Sequence, residues 1–276
     1  MIDADLQGAR ILITRPEKKA QATADLIREW NGIPLVFPTI RITGPDSWDS
    51  TDQAIRSLDE FSWMIFSSGY GVKYFCNRLQ SPERSVPKTI RIAAVGRKTA
   101  RALTKRGFKV DLIPGEYNAG SLIQSFQTIP VENKRILHIT GNKGRTTLQS
   151  GLESLGAGVT RIEVYRNVPP DHETARLLIV QLQRRSIDYL TFTSPSTFTN
   201  LWRILESEGE NPAALLDGYP IIPIGPVTSE TIENRGLDHI TLPEESTIEG
   251  ILKTIAKSES VTRNSSDQKT EEEKIS

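Results

Sequence analysis

Arg10-Ile11-Leu12-Ile13-Thr14-Arg15-Pro16-Glu17 decides how the chain is read. The apolar run Ile11 to Ile13 is too short for a helix and suits a strand buried in a parallel sheet. Pro16 stands where a first helical turn tolerates proline, and Ala20 to Trp30 then runs helically to a stop at Gly32. A buried strand followed at once by a turn and a helix is the repeating piece of an α/β domain.

The same piece returns later. Arg135-Ile-Leu-His-Ile-Thr140, followed by a helical stretch and Gly158-Val159, repeats Arg10 to Thr14 and Gly32-Ile33, with Thr140 lying 126 residues after Thr14. Phe66-Ser67-Ser68 returns as Phe192-Thr193-Ser194, again 126 residues on. Ile92-Ala93-Ala94-Val95-Gly96, with Thr99, Gly107 and Pro114, returns as Ile222-Pro223-Ile224-Gly225, with Thr228, Gly236 and Pro243, here 129 residues on. Matches in one order at near-constant spacing argue for an internal duplication. Strands alternating with helices in both halves predict two three-layer α/β domains with parallel sheets. The length of 276 residues accommodates two domains of about 120 residues each. The proline-bearing segments Phe37-Pro38-Thr39 and Val168-Pro169-Pro170 read as crossings between them.

Lys+Arg 34 balances Asp+Glu 34, so no global field gathers nucleic acid or an anionic membrane surface. Cys76 is the single cysteine, which excludes internal disulfides and Cys-rich zinc sites and suits a reducing, cytoplasmic compartment. Met1 to Ala9 carries no export signal, and no apolar run approaches the roughly 20 residues of a spanning helix. From Lys257 to Ser276 the residues are nearly all polar or charged, and this tail is expected to be disordered.

Ligands of open parallel sheets bind at loops leaving the carboxyl ends of strands. Six such loops share one composition here: Thr14-Arg15-Pro16, Ser67-Ser68-Gly69, Gly96-Arg97-Lys98-Thr99, Thr140-Gly141-Asn142-Lys143-Gly144, Ser194-Pro195-Ser196 and Gly225-Pro226-Val227-Thr228. Each brings a hydroxyl, a glycine or both to a helix start, where free N–H groups and the positive dipole end favour anions. The structural alternative is that Ser and Thr are simply the preferred N-caps. Gly69-Tyr70-Gly71 lacks the third glycine of a dinucleotide fingerprint, and Gly141-Asn-Lys-Gly144 is too short for a phosphate loop, so NAD and ATP are not expected. Phe-Thr-Ser194-Pro-Ser is not a nucleophile elbow. Of the histidines, His138 falls within a strand, His172 and His239 lie in or near loops, and none has a partner at metal-ligand spacing.

Taken in order, Ile-Thr-Arg15-Pro, Phe-Ser-Ser68, Ala-Val-Gly96 with Thr99, Val164-Tyr165-Arg166, Phe-Thr-Ser194-Pro-Ser and Ile-Gly225-Pro with Thr228 resemble the uroporphyrinogen-III synthase family over residues 9 to 256. The resemblance implies two flavodoxin-like (Rossmann-like) domains joined by a two-stranded connector. One is discontinuous, 1–37 plus 170–256, and the other spans 41–166, with the substrate cleft between them. The implied reaction closes hydroxymethylbilane, a linear tetrapyrrole with eight carboxylates, into uroporphyrinogen III. Water leaves to give an azafulvene, and the last ring is inverted through a spiro intermediate. No metal or organic cofactor is implied. Tyr165 matches the family's tyrosine, and a phenol, protonated at neutral pH, can hydrogen-bond to a departing hydroxyl. A tyrosine half-buried at a strand end would serve packing equally well. Thr39 occupies the equivalent position in the first half.

By the same resemblance Ser68, Thr99, Ser194 and Thr228 face the cleft and bind carboxylates, with backbone amides at Gly96 and Gly225. Arg15 matches a family arginine, with a structural salt bridge as its alternative, and Lys143 and Arg145 are further candidate carboxylate partners, with simple solvation of exposed basic residues as theirs. Val227 departs from the second threonine frequent in relatives. The chain is expected to act as a monomer, with at most transient contact with neighbouring pathway enzymes. A rival reading of the same architecture is a non-catalytic two-domain protein that binds or senses a small anion. A third, a synthase-like domain recruited to transcriptional control, lacks a helix-turn-helix or basic segment.

Overall fold

The computed structural model describes residues 5–79 and 86–275, with the side chains of Lys18 and of 262–275 left aside. The first half of the chain runs β1 (Arg10–Ile13), α1 (Glu17–Glu29), β2 (Ile33–Val36), β3 (Arg41–Thr43), α2 (Asp49–Arg56), β4 (Trp63–Phe66), α3 (Gly69–Leu79), β5 (Arg91–Ala94), α4 (Arg97–Thr104) and α5 (Ala119–Phe126). The second runs β6 (Arg135–Gly141), α6 (Thr147–Glu153), β7 (Gly158–Val168), α7 (His172–Gln183), β8 (Tyr189–Phe192), α8 (Pro195–Ser207), α9 (Pro212–Leu216), β9 (Ile221–Pro223), α10 (Pro226–Glu233) and α11 (Ile248–Ile275). The chain divides into two compact units: residues up to Arg41 with those from Pro169 onward, and Ile42–Val168.

The first unit holds a four-stranded sheet in the order β2-β1-β8-β9, every pair parallel. A parallel bridge from Ile221 to Ile240 extends it by one position. The second unit holds the sheet β3-β7-β6-β4-β5, in which β4, β5, β6 and β7 pair in parallel and Ala93 bridges Leu112 at the far edge. The sequence repeat is visible in the topology. Matching β6, β7, β4 and β5 to β1, β2, β8 and β9 makes the spatial orders identical, with Leu112 where Ile240 stands.

Alternation along the buried strands gives each sheet two apolar faces. Leu12, Leu190, Phe192 and Ile221 pack with residues of α7, α8 and α9, while Ile11, Ile13 and Ile222 pack with those of α1 and α11. In the second unit Met64, Phe66, Leu137 and Ile139 face α2, α3 and α4, and Trp63, Ile65 and Ile136 face α5 and α6. Ile11, Leu12 and Ile13 are each buried to within 1%. Burying an aliphatic side chain of this size contributes about 1.5–3 kcal/mol, which is why so short a strand is secure.

Helix ends follow the sequence with one adjustment. Gly107 and Gly236 take φ values of 83° and 80° after α4 and α10, the left-handed turn that glycine permits. After α1, however, Asn31 makes that turn at φ 59°. Gly32 is needed for space: a Cβ there would lie 2.8 Å from Leu6 Cδ1 and 2.9 Å from Ile27 Cγ2.

The last helix, α11, runs from Ile248 to Ile275. Its near end is tied down, since Tyr189 donates to Glu259 Oε1 at 2.7 Å and Lys257 pairs with Glu244. Its first turns are docked through Ile251, Leu252 and Ile255. Expectations placed on residues 1–4 and on Ser276 lie outside the described residues. No helix among the described residues is long and apolar enough to cross a membrane.

Candidate active site

Because β1, β2, β8 and β9 run parallel, as do β4, β5, β6 and β7, the carboxyl ends of each set share one edge. In the first unit that edge carries Arg15 after β1, Ser194 after β8, and Gly225 and Thr228 after β9. In the second it carries Ser68 after β4, Gly96 and Thr99 after β5, and Lys143 after β6, with Tyr165 in the later part of β7.

A break in register brings Tyr165 to this edge. β6 and β7 pair residue for residue from Arg135↔Gly158 to Thr140↔Glu163, and then Gly141 pairs with Tyr165. The extra residue is a bulge of the kind that re-aims a side chain beside a functional site. It lays the phenol ring directly over the Gly141 backbone, where a Cβ on residue 141 would lie 2.5 Å from Tyr165 Cζ. Tyr70 and Tyr74 of α3 flank the ring, with centroids 5.8 and 6.3 Å away. Tyr74 is itself held by donating to Ile42 O at 2.8 Å. Burial, and Tyr70 beside it, raise the Tyr74 pKa.

The phenol oxygen ends a hydrogen-bond chain. Gly71 N–H donates to Ser68 Oγ at 3.0 Å, and Ser68 Oγ donates to Tyr165 Oη at 3.1 Å. Ser68 is therefore both the N-cap of α3 and the donor that leaves the phenolic hydrogen free to point elsewhere. Asn142 fastens the adjoining loop to β7: its side chain donates to Asn167 O and accepts from Asn167 N at 2.9 Å.

Helix starts differ in how their first amides are met: Ser68 caps α3, while Trp48 and Thr146 leave α2 and α6 without a side-chain cap. Asn118, Asp171 and Asn211 cap α5, α7 and α9 with their side chains. No side chain caps α1, α4, α8 or α10, the helices that directly follow β1, β5, β8 and β9. Ser194 is the clearest contrast with Ser68, because its Oγ meets Ser196 Oγ at 3.0 Å in place of an amide of α8. Amides without a side-chain acceptor at helix N-termini are anion sites in waiting. Thr99 and Thr228 are buried within the first turns of α4 and α10. Val227 stands 69% exposed, so the hydroxyl missing there leaves no gap in the core.

Arg15 is half-buried, and its Nη1 donates to Thr23 Oγ1 at 2.9 Å. Its hydrogen bond goes to a neutral hydroxyl rather than a carboxylate, and burial lowers its pKa. Lys143 and Arg145 are exposed.

Several residues escaped the sequence reading. Tyr70 and Tyr74 sit one helical turn apart, a spacing that signals a shared face, but nothing local says that the face meets β7. Tyr117 and Ser246 back the two glycines: a Cβ at Gly96 would lie 3.1 Å from Tyr117 Cβ, and one at Gly225 would lie 2.8 Å from Ser246 Oγ. His239, expected to lack metal-ligating neighbours, has its donor atom within 4.8 Å of those of Asp217 and Asp238. All three are exposed, as grouped surface carboxylates commonly are without an ion. Cys76 is buried, as its apolar surroundings in the sequence suggest, and burial raises its pKa.

A two-unit parallel α/β protein whose strand carboxyl ends present helix N-termini and hydroxyls falls in the class of open-sheet α/β folds, whose ligands bind at that edge. Comparison with known proteins narrows this. A family model described as uroporphyrinogen-III synthase HemD matches residues 21–253. The uroporphyrinogen-III synthase of Synechococcus elongatus is 33% identical over 92% of this chain and 97% of its own length. That of Chlorobaculum parvum is 27% identical over 85% of this chain and 92% of its own. In fold, a mutant uroporphyrinogen III synthase from Thermus thermophilus superposes with a TM-score of 0.57 at 20% identity, covering 91% of this chain and 98% of the other. The chain belongs to the uroporphyrinogen-III synthase family, cyclising enzymes of tetrapyrrole biosynthesis. The rival reading of a non-catalytic anion binder finds no support among these relatives.

Proposed function

We infer that the chain takes hydroxymethylbilane, holds its carboxylates at the strand carboxyl ends, and assists departure of the terminal hydroxyl with the Tyr165 phenol. The observation that carries this reading is the chain from Gly71 N–H through Ser68 Oγ to Tyr165 Oη, which leaves the phenolic hydrogen available to a leaving hydroxyl. Pyrroles supply their own electron push, so the protein's part is to protonate or orient the leaving group and to restrict how the linear chain folds before closure. Water is released, the azafulvene is attacked through the spiro intermediate, and the last ring is inverted.

Substrate carboxylates are taken by the amides at Gly96 and Gly225, by the hydroxyls of Ser68, Thr99, Ser194 and Thr228, and by Arg15 and Lys143. The helix starts without side-chain caps and the Arg15 guanidinium bonded to a neutral partner support these assignments. Strand order β2-β1-β8-β9 supports a flavodoxin-like reading of the first unit. The adjacency of β3 and β7 in the second sheet supports a two-stranded connector. The protein works in the cytoplasm as a monomer.

Purified protein mixed with freshly generated hydroxymethylbilane is expected to give the type III isomer, resolved by chromatography after oxidation. Type I product alone, at the uncatalysed rate, would overturn the reading. Tyr165→Phe is expected to slow turnover at least ~10-fold, equivalent to ~1.4 kcal/mol of barrier.

A further inference from the structure

On the opposite face of the β6 edge lies a polar group that the chemistry above leaves unused. His138 sits in the middle of β6, 1% exposed, and pairs across the sheet with Ile65 of β4 and Arg161 of β7. Its Nε2 lies 2.6 Å from Ser67 Oγ, at the carboxyl end of β4 and next to Ser68. Among the described residues, His138 Nδ1 and Arg161 Nε are both buried without a hydrogen-bond partner. The rest of the Arg161 guanidinium is engaged: Nη1 donates to Glu163, and Nη2 donates to the carbonyls of Gly141 and Gly144, which bracket Lys143.

The tautomer of His138 follows from these surroundings. Burial, with the Arg161 charge adding to it, pushes the His138 pKa down to about 4, so the ring is neutral at physiological pH and one nitrogen carries the hydrogen. A hydrogen on Nδ1 would be a buried donor without an acceptor beside a cation. Placed on Nε2 it is satisfied by Ser67 Oγ, and Nδ1 keeps a lone pair, which a neighbouring positive charge favours. Ser67 Oγ is then an acceptor toward His138, and its own hydrogen is free to donate. Ser67 is half-buried and is the first residue past the carboxyl end of β4, on the edge where the loops gather.

We propose that Ser67 is a further substrate-binding residue, its hydroxyl fixed as a donor to a substrate carboxylate by His138, with Arg161 as the positioning residue that sets the imidazole and the Gly141–Gly144 loop. The proposal rests on the carboxyl-edge reading of the active site. It divides the second unit's edge between two hydroxyls on opposite faces of the sheet. Ser68 serves the phenol, and Ser67 serves the carboxylate.

Steady-state kinetics with hydroxymethylbilane tests it. Ser67→Ala is expected to raise KM ~10-fold with kcat changed less than ~2-fold, and Ser67→Thr to retain wild-type KM. His138→Leu is expected to raise KM to the same extent, His138→Gln to restore it because its amide reaches as Nε2 does, and the Ser67→Ala/His138→Leu pair to be no worse than either single change. An unchanged KM in Ser67→Ala would overturn the proposal. So would a His138→Leu enzyme that loses thermal stability but keeps its KM. Failure of the underlying reading looks different, because wild-type protein itself would then form only type I product.

Discussion

Adding one methyl group at Gly141 probes the site where the structure is least forgiving. In Gly141→Ala the new Cβ would lie 2.5 Å from Tyr165 Cζ, 2.6 Å from Cε2 and 2.9 Å from Cε1, whereas ordinary contact begins at 3.4 Å. The ring must therefore retreat by about 0.9 Å. Tyr70 and Tyr74 flank it, and the retreat stretches a Ser68 Oγ to Tyr165 Oη bond that is already 3.1 Å long. Misplacing a catalytic group by about 1 Å costs up to roughly 100-fold in rate, and forced overpacking costs about 1–3 kcal/mol of stability. Gly141→Ala is accordingly expected to fold, to melt several degrees lower, and to form uroporphyrinogen III with kcat reduced ~10- to 100-fold. On a Tyr165→Phe background the same methyl should cost little further kcat, since the group it displaces has already lost its hydroxyl. A Gly141→Ala enzyme with wild-type kcat would refute the reasoning, because the ring cannot both hold its place and admit the methyl.

Two further expectations concern stability. Ser68→Ala removes the α3 cap and should lower stability by about 1 kcal/mol along with kcat, whereas Ser194→Ala removes no cap and should raise KM while leaving the melting temperature unchanged; thermal melts beside kinetics distinguish the two. His138 is protonated more readily unfolded, near 6.5, than folded, at about 4, so the unfolded state gains protons first as pH falls. Its contribution is fully present above pH 6.5 and is lost down to about pH 4, a loss on the order of 3 kcal/mol that denaturant titrations across this range should record in wild type and find absent in His138→Leu.

The strands were legible because burial on both faces leaves little choice of residue: Ile11 to Ile13, Trp63 to Phe66 and Ile92 to Ala94 are apolar throughout. The duplication was legible for the same reason, since equivalent strands keep equivalent turns. Hydrogen bonding was not. Phe-Ser-Ser68 and Phe-Thr-Ser194 read alike, yet Ser68 caps its helix and Ser194 bonds a second serine, a difference set by what lies across the sheet. The bulge that aims Tyr165 depends on pairing between β6 and β7, which a linear pattern does not contain. The docking of α11 was not legible either, since its contact from Tyr189 to Glu259 spans 70 positions. His138 was read correctly as lying within its strand, but its tie to Ser67 required the neighbouring strand.

On the proposed function, the polyanion is gripped at the carboxyl ends of the strands. Amide hydrogen exchange by mass spectrometry, with and without saturating uroporphyrinogen III under reducing conditions, tests it most directly. Protection is expected at 67–71, 96–100, 141–145, 194–198 and 225–229, with the side-chain-capped starts of α7 and α9 at 171–175 and 211–215 unchanged. Protection confined to those capped starts, or to the amino ends of the strands, would contradict it.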